Sequence, residues 1–219
     1  HARYLVLRVL PFEEEQIRAY LQANVPGVDL DRALEIIDSV HNLRELAGRP
    51  FLLSLMRPFL AHLDHQLAAG RSVRSVDLYA GFVQEWQERN AKMDRIISDD
   101  KPLLMQRLAA YLWSEGMKSI PCEALNRWLR KEIVSDPVWV HTYGDALKSH
   151  PEALLEHCRD ATFLGRWDGE AFRFAHTSLL EFFLARYLLD AIGRDDRHAW
   201  AMPIPSRETL DFLGQLLGE

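Results

Sequence analysis

The apolar positions of the chain recur mostly at helical spacing. Between Thr177 and Ile192 they follow the 3.6-residue period, and additional apolar residues extend this stripe around most of the helix surface. Such a pattern is typical of a helix buried on several sides. Gly193 is placed to end this helix. The same spacing predicts further helices over 12–24, 31–40, 41–47, 51–69, 76–93, 101–117, from Pro121 onward, in part of 150–160, and over 207–217.

Strand-like patterns are short and few. Residues 3–10 are apolar enough for a buried strand, which Pro11 ends. Residues 162–166 and 172–175 flank the turn sequence WDGE, an arrangement that predicts a β-hairpin. The predicted fold class is therefore mainly α with a small β-hairpin, and a boundary near residue 70 separates a helical part from a part with helices and the hairpin.

Composition and charge exclude several classes of function. The 219 residues are 48% hydrophobic and 26% charged, and the formal net charge is −6. That sign argues against a nucleic-acid partner, and no apolar run approaches the length of a membrane span. Two cysteines give no disulfide framework, which favours a cytoplasmic location. The first residues lack Met and resemble a strand entered midway, so we expect a piece of a longer protein.

A histidine stands at the joint between the hairpin and the long apolar helix, in FRFAHTSLLEFFLA. Ser178 and Glu181 have the spacing of a capping box, which predicts Ser178 as the N-cap of the helix. His176 then lies where a strand ends and a helix begins, and the free N–H groups there attract anions such as phosphate. The alternative is a structural histidine bonded to a nearby carbonyl.

Several stretches, in order along nearly the whole chain, resemble the C-terminal part of NACHT-type STAND NTPases, which are nucleotide switches of innate immunity and bacterial defence. The sequence LRVLPFEEEQIRAYL resembles the last strand of the nucleotide-binding core and the entry to its helical domain. ELAGRPFLLSLM resembles the G-x-P element that faces the adenine. DLYAGFVQEWQERN resembles the linker into the winged-helix domain, and FRFAHTSLLEFFLARYL resembles the end of that domain.

The resemblance implies a domain layout and a nucleotide site. Residues 1–10 would be the terminal strand of a nucleotide-binding core, 11–70 a helical domain, 71–193 a winged-helix domain and 194–219 the start of a following helical region. Pro50 would pack against the base of ADP, and His176 would contact its β-phosphate in the inactive state.

The resemblance also implies cofactors and partners. ADP and ATP are expected as cofactors of the full-length protein. The expected partners are the chain's own nucleotide-binding core and a C-terminal sensor region, together with further copies of the protein upon activation. The function implied is that of a regulatory lid and sensor in signalling or antiviral defence.

The chain departs from the family because it lacks the phosphate-binding and magnesium-binding motifs of the switch. It contains no G-x-x-x-x-G-K-[ST] phosphate loop and no strand ending in paired acids for magnesium. We therefore expect no enzymatic activity, no catalytic residues and no tight nucleotide binding from this chain alone, whereas the full-length protein is expected to be an ATPase switch.

Two other functions stay open at this stage. One is a helical protein-interaction module with no nucleotide role. The other is a winged-helix DNA-binding regulator, whose recognition helix would lie within PEALLEHCRDA, but this helix is acidic and is expected to repel DNA. His62 and His65 share a helix face without further ligands at metal spacing, so a solvated face is favoured over a metal site.

Overall fold

The computed structural model describes residues 10–25, 29–39, 43–50, 52–54, 56, 60, 74–90, 100–159, 163–167 and 170–218. These residues are mainly helical and include one small antiparallel sheet, which confirms the predicted fold class. The chain divides into two compact units, His1–Phe82 and Val83–Glu219. The predicted strand at 3–10, except for its last residue, the predicted boundary near residue 70 and the pair His62 and His65 lie outside the described residues.

The first unit contains short helices whose apolar faces form one core. The bounds are α1 Glu14–Asn24, α2 Leu30–Ser39, α3 Leu43–Ala47 and the first part of α4 Ser75–Asn90. The backbone N–H of Glu13 donates to Oε1 of Gln16 over 2.9 Å and so fixes the start of α1. Arg44 on α3 forms ion pairs with Glu14 on α1 and with Asp38 on α2, which joins the three helices at the surface.

The second unit continues α4 and then alternates helices with three short strands. Its elements are α5 Lys101–Ser114, β1 Ile120–Pro121, α6 Cys122–Ser135, α7 Pro137–Ser149, α8 Pro151–Arg159, β2 Leu164–Trp167 and β3 Ala171–Phe174. The strands are antiparallel in the order β1-β3-β2, and Ile120 pairs with Phe172. The predicted hairpin is confirmed as β2 and β3, and β1 is an addition that the sequence patterns did not predict. The hairpin therefore pairs through β3 with the short strand that lies between α5 and α6.

Helix α9, Thr177–Gly193, is the centre of the second unit. It packs against α5 and against α10, Arg207–Leu217, which follows a 3₁₀ turn at Arg197–Trp200. The Phe183 ring lies 5.6 Å from Phe163 and 5.9 Å from Phe174, measured between centroids. On the other side, Phe182 meets Phe212 of α10 edge to face at 5.7 Å. The helix is thus buried by the hairpin and by two helices, as its wide apolar face predicts.

The described part of the chain contains no helix that is both long and apolar enough to cross a bilayer. Within the same part, His, Cys, Asp and Glu side chains nowhere gather in a group of three that could hold a metal ion.

Candidate functional site

His176 occupies the two-residue step between β3 and α9. Its backbone is extended, with φ −147° and ψ 149°, and it is the N-cap residue of α9. The side chain is buried, with 7% of its surface exposed. The strand pairing of β3 ends at Phe174, so the chain leaves the sheet and enters the helix within His176 and its predecessor. The sequence prediction that His176 stands at a strand end before a helix N-terminus is confirmed.

The imidazole of His176 caps the helix through its Nδ1 atom. The backbone N–H of Ser178 donates to Nδ1 over 3.1 Å, and the Ser178 hydroxyl oxygen lies 2.6 Å from the same nitrogen. A nitrogen that accepts a backbone N–H carries no proton, so the neutral ring holds its proton on Nε2. The cap therefore fixes the tautomer and makes Nε2 a hydrogen-bond donor.

The predicted capping box of Ser178 and Glu181 is wrong. Helix α9 begins at Thr177, so Ser178 is its second residue and cannot be the N-cap. The Glu181 carboxylate instead accepts a hydrogen bond of 2.9 Å from the hydroxyl of Ser206. Because α10 packs along α9, the buried Glu181 points toward the start of that helix, where Ser206 is the N-cap. The capping bond of His176 joins Nδ1 to the N–H group of Ser178.

The first turn of α9 is favourable for an anion. It contains no acidic residue, so no carboxylate of that turn repels a negative charge at the helix N-terminus. Thr177 is exposed there, whereas Ser178 is fully buried. The positive end of the helix dipole lies at this turn and favours a negative charge.

Pro50 opens a helix in the first unit, as predicted. The residue is half-buried and helical, and the N–H of Leu53 donates to the carbonyl of Arg49 over 2.9 Å, which is the first helical bond of that segment. Gly48 ends α3, with its N–H donating to Arg44 O over 3.1 Å. The Gly48 carbonyl accepts from the N–H of Phe12, so this turn also holds the approach to α1. Pro50 belongs to the first compact unit and His176 to the second.

Helix α8 corresponds to the recognition helix expected for a DNA-binding regulator, and its surface is acidic. Glu152 and Glu156 are exposed on it. Arg159 points inward to the side chains of Asn126 and Cys122. The Glu152 carboxylate pairs with Arg130 of α6 over 2.9 Å. The basic side chain that this helix offers is thus engaged inside the unit, which adds to the electrostatic argument against DNA.

The second unit also contains a cavity of about 490 Å³ that sequence reasoning missed. It lies among α5, α6, α9 and the segment that holds the 3₁₀ turn. The residues that matter for its chemistry are Arg107, Lys131, Arg194, Tyr111, Trp128 and Tyr187. No motif marks this cavity, because its walls come from segments about ninety residues apart in the chain.

Comparison with known proteins gives no assignment. No protein-family model matches the chain, and a search of curated proteins finds no match.

Proposed function

We propose that this chain is the lid and sensor region of a STAND-type nucleotide switch in signalling or antiviral defence, and that it holds ADP in the inactive state. The observation that carries the proposal is the capped, buried His176 at the N-terminus of α9. Its support comes from the geometry of that residue together with the ordered resemblance of 7–21, 45–56, 77–90 and 172–188 to the NACHT family.

The capping bond gives His176 a defined role in such a site. Because Ser178 occupies Nδ1, the ring cannot flip without losing the cap, and Nε2–H stays the donor for a β-phosphate oxygen. A hydrogen bond to a charged group contributes about 1.5–3 kcal/mol. Made in the ADP-bound state alone, this bond would bias a two-state equilibrium toward the closed form by roughly one to two powers of ten.

Other parts of the longer protein complete the switch. Pro50, at the start of its helix, packs against the base, and a nucleotide-binding core supplies the phosphate loop and the magnesium site. Loss of the His176 contact upon exchange of ADP for ATP releases the second unit, which allows copies of the protein to assemble. The switch acts in the cytoplasm, with which the free thiols of Cys122 and Cys158 agree.

The decisive experiment separates the cap from the phosphate donor in the longer protein that contains the nucleotide-binding core. In His176→Asn the amide oxygen caps the helix well but the side chain is too short to replace Nε2. In His176→Gln the amide reaches toward the position of Nε2, and the cap is lost. We expect the Asn variant to release a fluorescent ADP analogue about ten to a hundred times faster at a nearly unchanged melting temperature.

The Gln variant is expected to show the opposite pattern, with a lower melting temperature and ADP release closer to that of the unchanged protein. His141→Ala is the matched control, because His141 is exposed on α7. If the Asn variant releases ADP at the original rate while its fold is intact, His176 is a cap alone and the proposal fails.

A further inference from the structure

The cavity of the second unit has aromatic walls and an excess of positive charge. Tyr111 and Trp128 stack with ring centroids 5.8 Å apart and planes 27° from parallel, and Tyr187 lines the same space. Three cationic side chains line it, Arg107, Lys131 and Arg194, against a single carboxylate, that of Glu132. This is the reverse of the whole chain, whose net charge is −6.

Arg107 forms the rigid part of the cavity wall. Its guanidinium donates to Asp136 over 2.6 Å and lies 3.5 Å from the Glu132 carboxylate. The same group stacks on the Trp139 ring, 4.3 Å from its centroid. The charge of Arg107 is therefore already balanced by the carboxylates of Asp136 and Glu132, and its side chain is held in place as part of the cavity wall.

Lys131 and Arg194 differ from Arg107 in their ion pairing. Across the residues that the structure describes, neither side chain forms an ion pair. Lys131 lines the cavity from α6, and Arg194 lines it from the end of α9. Exposed cations at a cavity rim can bind an anionic group, and a guanidinium can grip carboxylate or phosphate oxygens with two parallel bonds. The cavity thus offers two cations that its own carboxylate does not neutralise.

Tyr187 adds a neutral donor to the cavity lining. Burial raises the pKa of its hydroxyl above the usual 10.0; the charge of Asp196 adds to this effect, and that of Arg194 opposes it. The hydroxyl consequently stays protonated at neutral pH and is able to donate a hydrogen bond.

We propose that this cavity binds a small molecule that combines a flat ring with one anionic group, either a carboxylate or a phosphate. The volume of about 490 Å³ lies in the range of small-molecule sites. The ring packs against the aromatic wall, and the anionic group meets Lys131, Arg194 and the Tyr187 hydroxyl. This site lies in the second unit, is built from other side chains than His176 and Pro50, and does not depend on the proposed nucleotide switch.

The test uses the 219-residue chain and four probes followed by NMR. Phenyl phosphate and benzoate each carry a ring and an anionic group, benzyl alcohol carries only a ring, and inorganic phosphate carries only the charge. We expect the two ringed anions to shift the Trp128 indole signal and those of the 3₁₀ turn saturably, with the other two probes at least about tenfold weaker. The tighter of the two ringed anions identifies the group as phosphate or carboxylate.

Charge-matched variants locate the binding site. Arg194→Ala and Lys131→Ala are each expected to weaken the ringed anions by about tenfold, since each removes a bond to a charged group. Arg197→Ala removes the same charge from an exposed side chain that does not line the cavity, and it should leave binding unchanged. Absence of saturable shifts with both ringed anions, or equal weakening by Arg197→Ala, overturns the proposal. Neither result bears on the His176 experiment.

Discussion

The backbone N–H of Ser178 donates to Nδ1 of His176 over 3.1 Å, so the second residue after the last strand is also the cap of α9. Two properties meet in one ring: Nδ1 stabilises the helix, and Nε2 carries the proton. Replacing His176 by Ala removes both at once, which is why a single alanine variant cannot separate a structural from a binding role.

The stability of the chain should depend on whether the side chain at position 176 can cap α9. We expect His176→Ala to lower the free energy of unfolding by about 0.5–2 kcal/mol, because an N-cap acceptor is lost. His176→Asn should retain most of that stability, since asparagine is among the best N-cap residues. Urea unfolding of the chain, followed by tryptophan fluorescence, measures both values. Equal losses in the two variants would mean that packing of the ring outweighs the capping bond.

The ion pair of Arg107 and Asp136 should make part of the stability depend on pH. The Arg107 hydrogen bond is the main cause that holds the pKa of Asp136 below its ordinary value of 3.8. The folded state therefore binds this proton less readily than the unfolded chain. Its contribution is fully present above the unfolded pKa, near pH 4, and is lost as the pH falls through the lower folded value.

Arg107→Met tests this dependence. We expect a loss of about 2 kcal/mol at neutral pH, because a hydrogen bond to a charged group is removed from a partly buried carboxylate. The loss should shrink as the pH falls through the lowered pKa of Asp136, because the protonated carboxyl no longer pairs with the guanidinium. Arg197→Ala, at an exposed pair, is the control and should cost little at either pH. A loss that is independent of pH would assign the effect to packing on Trp139.

Ser206 joins α9 to α10 and should matter more than an exposed serine. Its hydroxyl donates to the buried Glu181 carboxylate and accepts from the N–H of Thr209 over 3.1 Å as the cap of α10. We expect Ser206→Ala to lower the free energy of unfolding by about 1–3 kcal/mol. Ser135→Ala, whose hydroxyl donates to a carbonyl at the surface, should cost much less. Similar losses in both variants would contradict a linking role for Ser206.

DNA binding should be weak. Helix α8 exposes Glu152 and Glu156, and Arg159 is held by Asn126. With a net charge of −6, we expect no duplex affinity tighter than about 10⁻⁶ M at physiological salt. Fluorescence anisotropy with labelled duplexes measures this directly. Nanomolar, sequence-dependent binding would favour a transcription regulator over a nucleotide switch.

ATP hydrolysis by the chain alone is not expected, because its sequence contains no G-x-x-x-x-G-K-[ST] loop. Phosphate release from the purified chain should stay at background. Turnover that survives purification and disappears with a point change in this chain would contradict the lid proposal. His176→Asn is a suitable point change, since it leaves the cap in place.

The bounds of a helix could be predicted from the sequence where the helix is buried along one face or on all sides. Helix α10 has the predicted bounds, and α9 differs from its prediction only by including Gly193. The N-cap of α9 was harder to predict, because the Ser-x-x-Glu spacing favours Ser178 whereas His176 is the cap. The N–H of Ser178 donates to Nδ1 of His176, and Glu181 contacts Ser206, 25 residues away.

The sheet and the cavity depended on contacts that local patterns do not encode. Strand β1 is only two residues long and includes Pro121, so it shows no alternation that could predict a strand. Arg107 and Asp136 are separated by 29 positions, so no local pattern predicts their ion pair. His176 itself was predicted as a functional residue, whereas its capping bond required the folded geometry.

Asp136 and His150 are each the only residue between two helices, the first joining α6 to α7 and the second α7 to α8. Because such joints leave no spare chain, we expect α6, α7 and α8 to move as one body. Asp136 at the first joint also accepts a hydrogen bond from Arg107, which ties this body to α5. The connection from Arg194 to Ser206 is longer, so we expect rotation within this unit to occur there, beside α10.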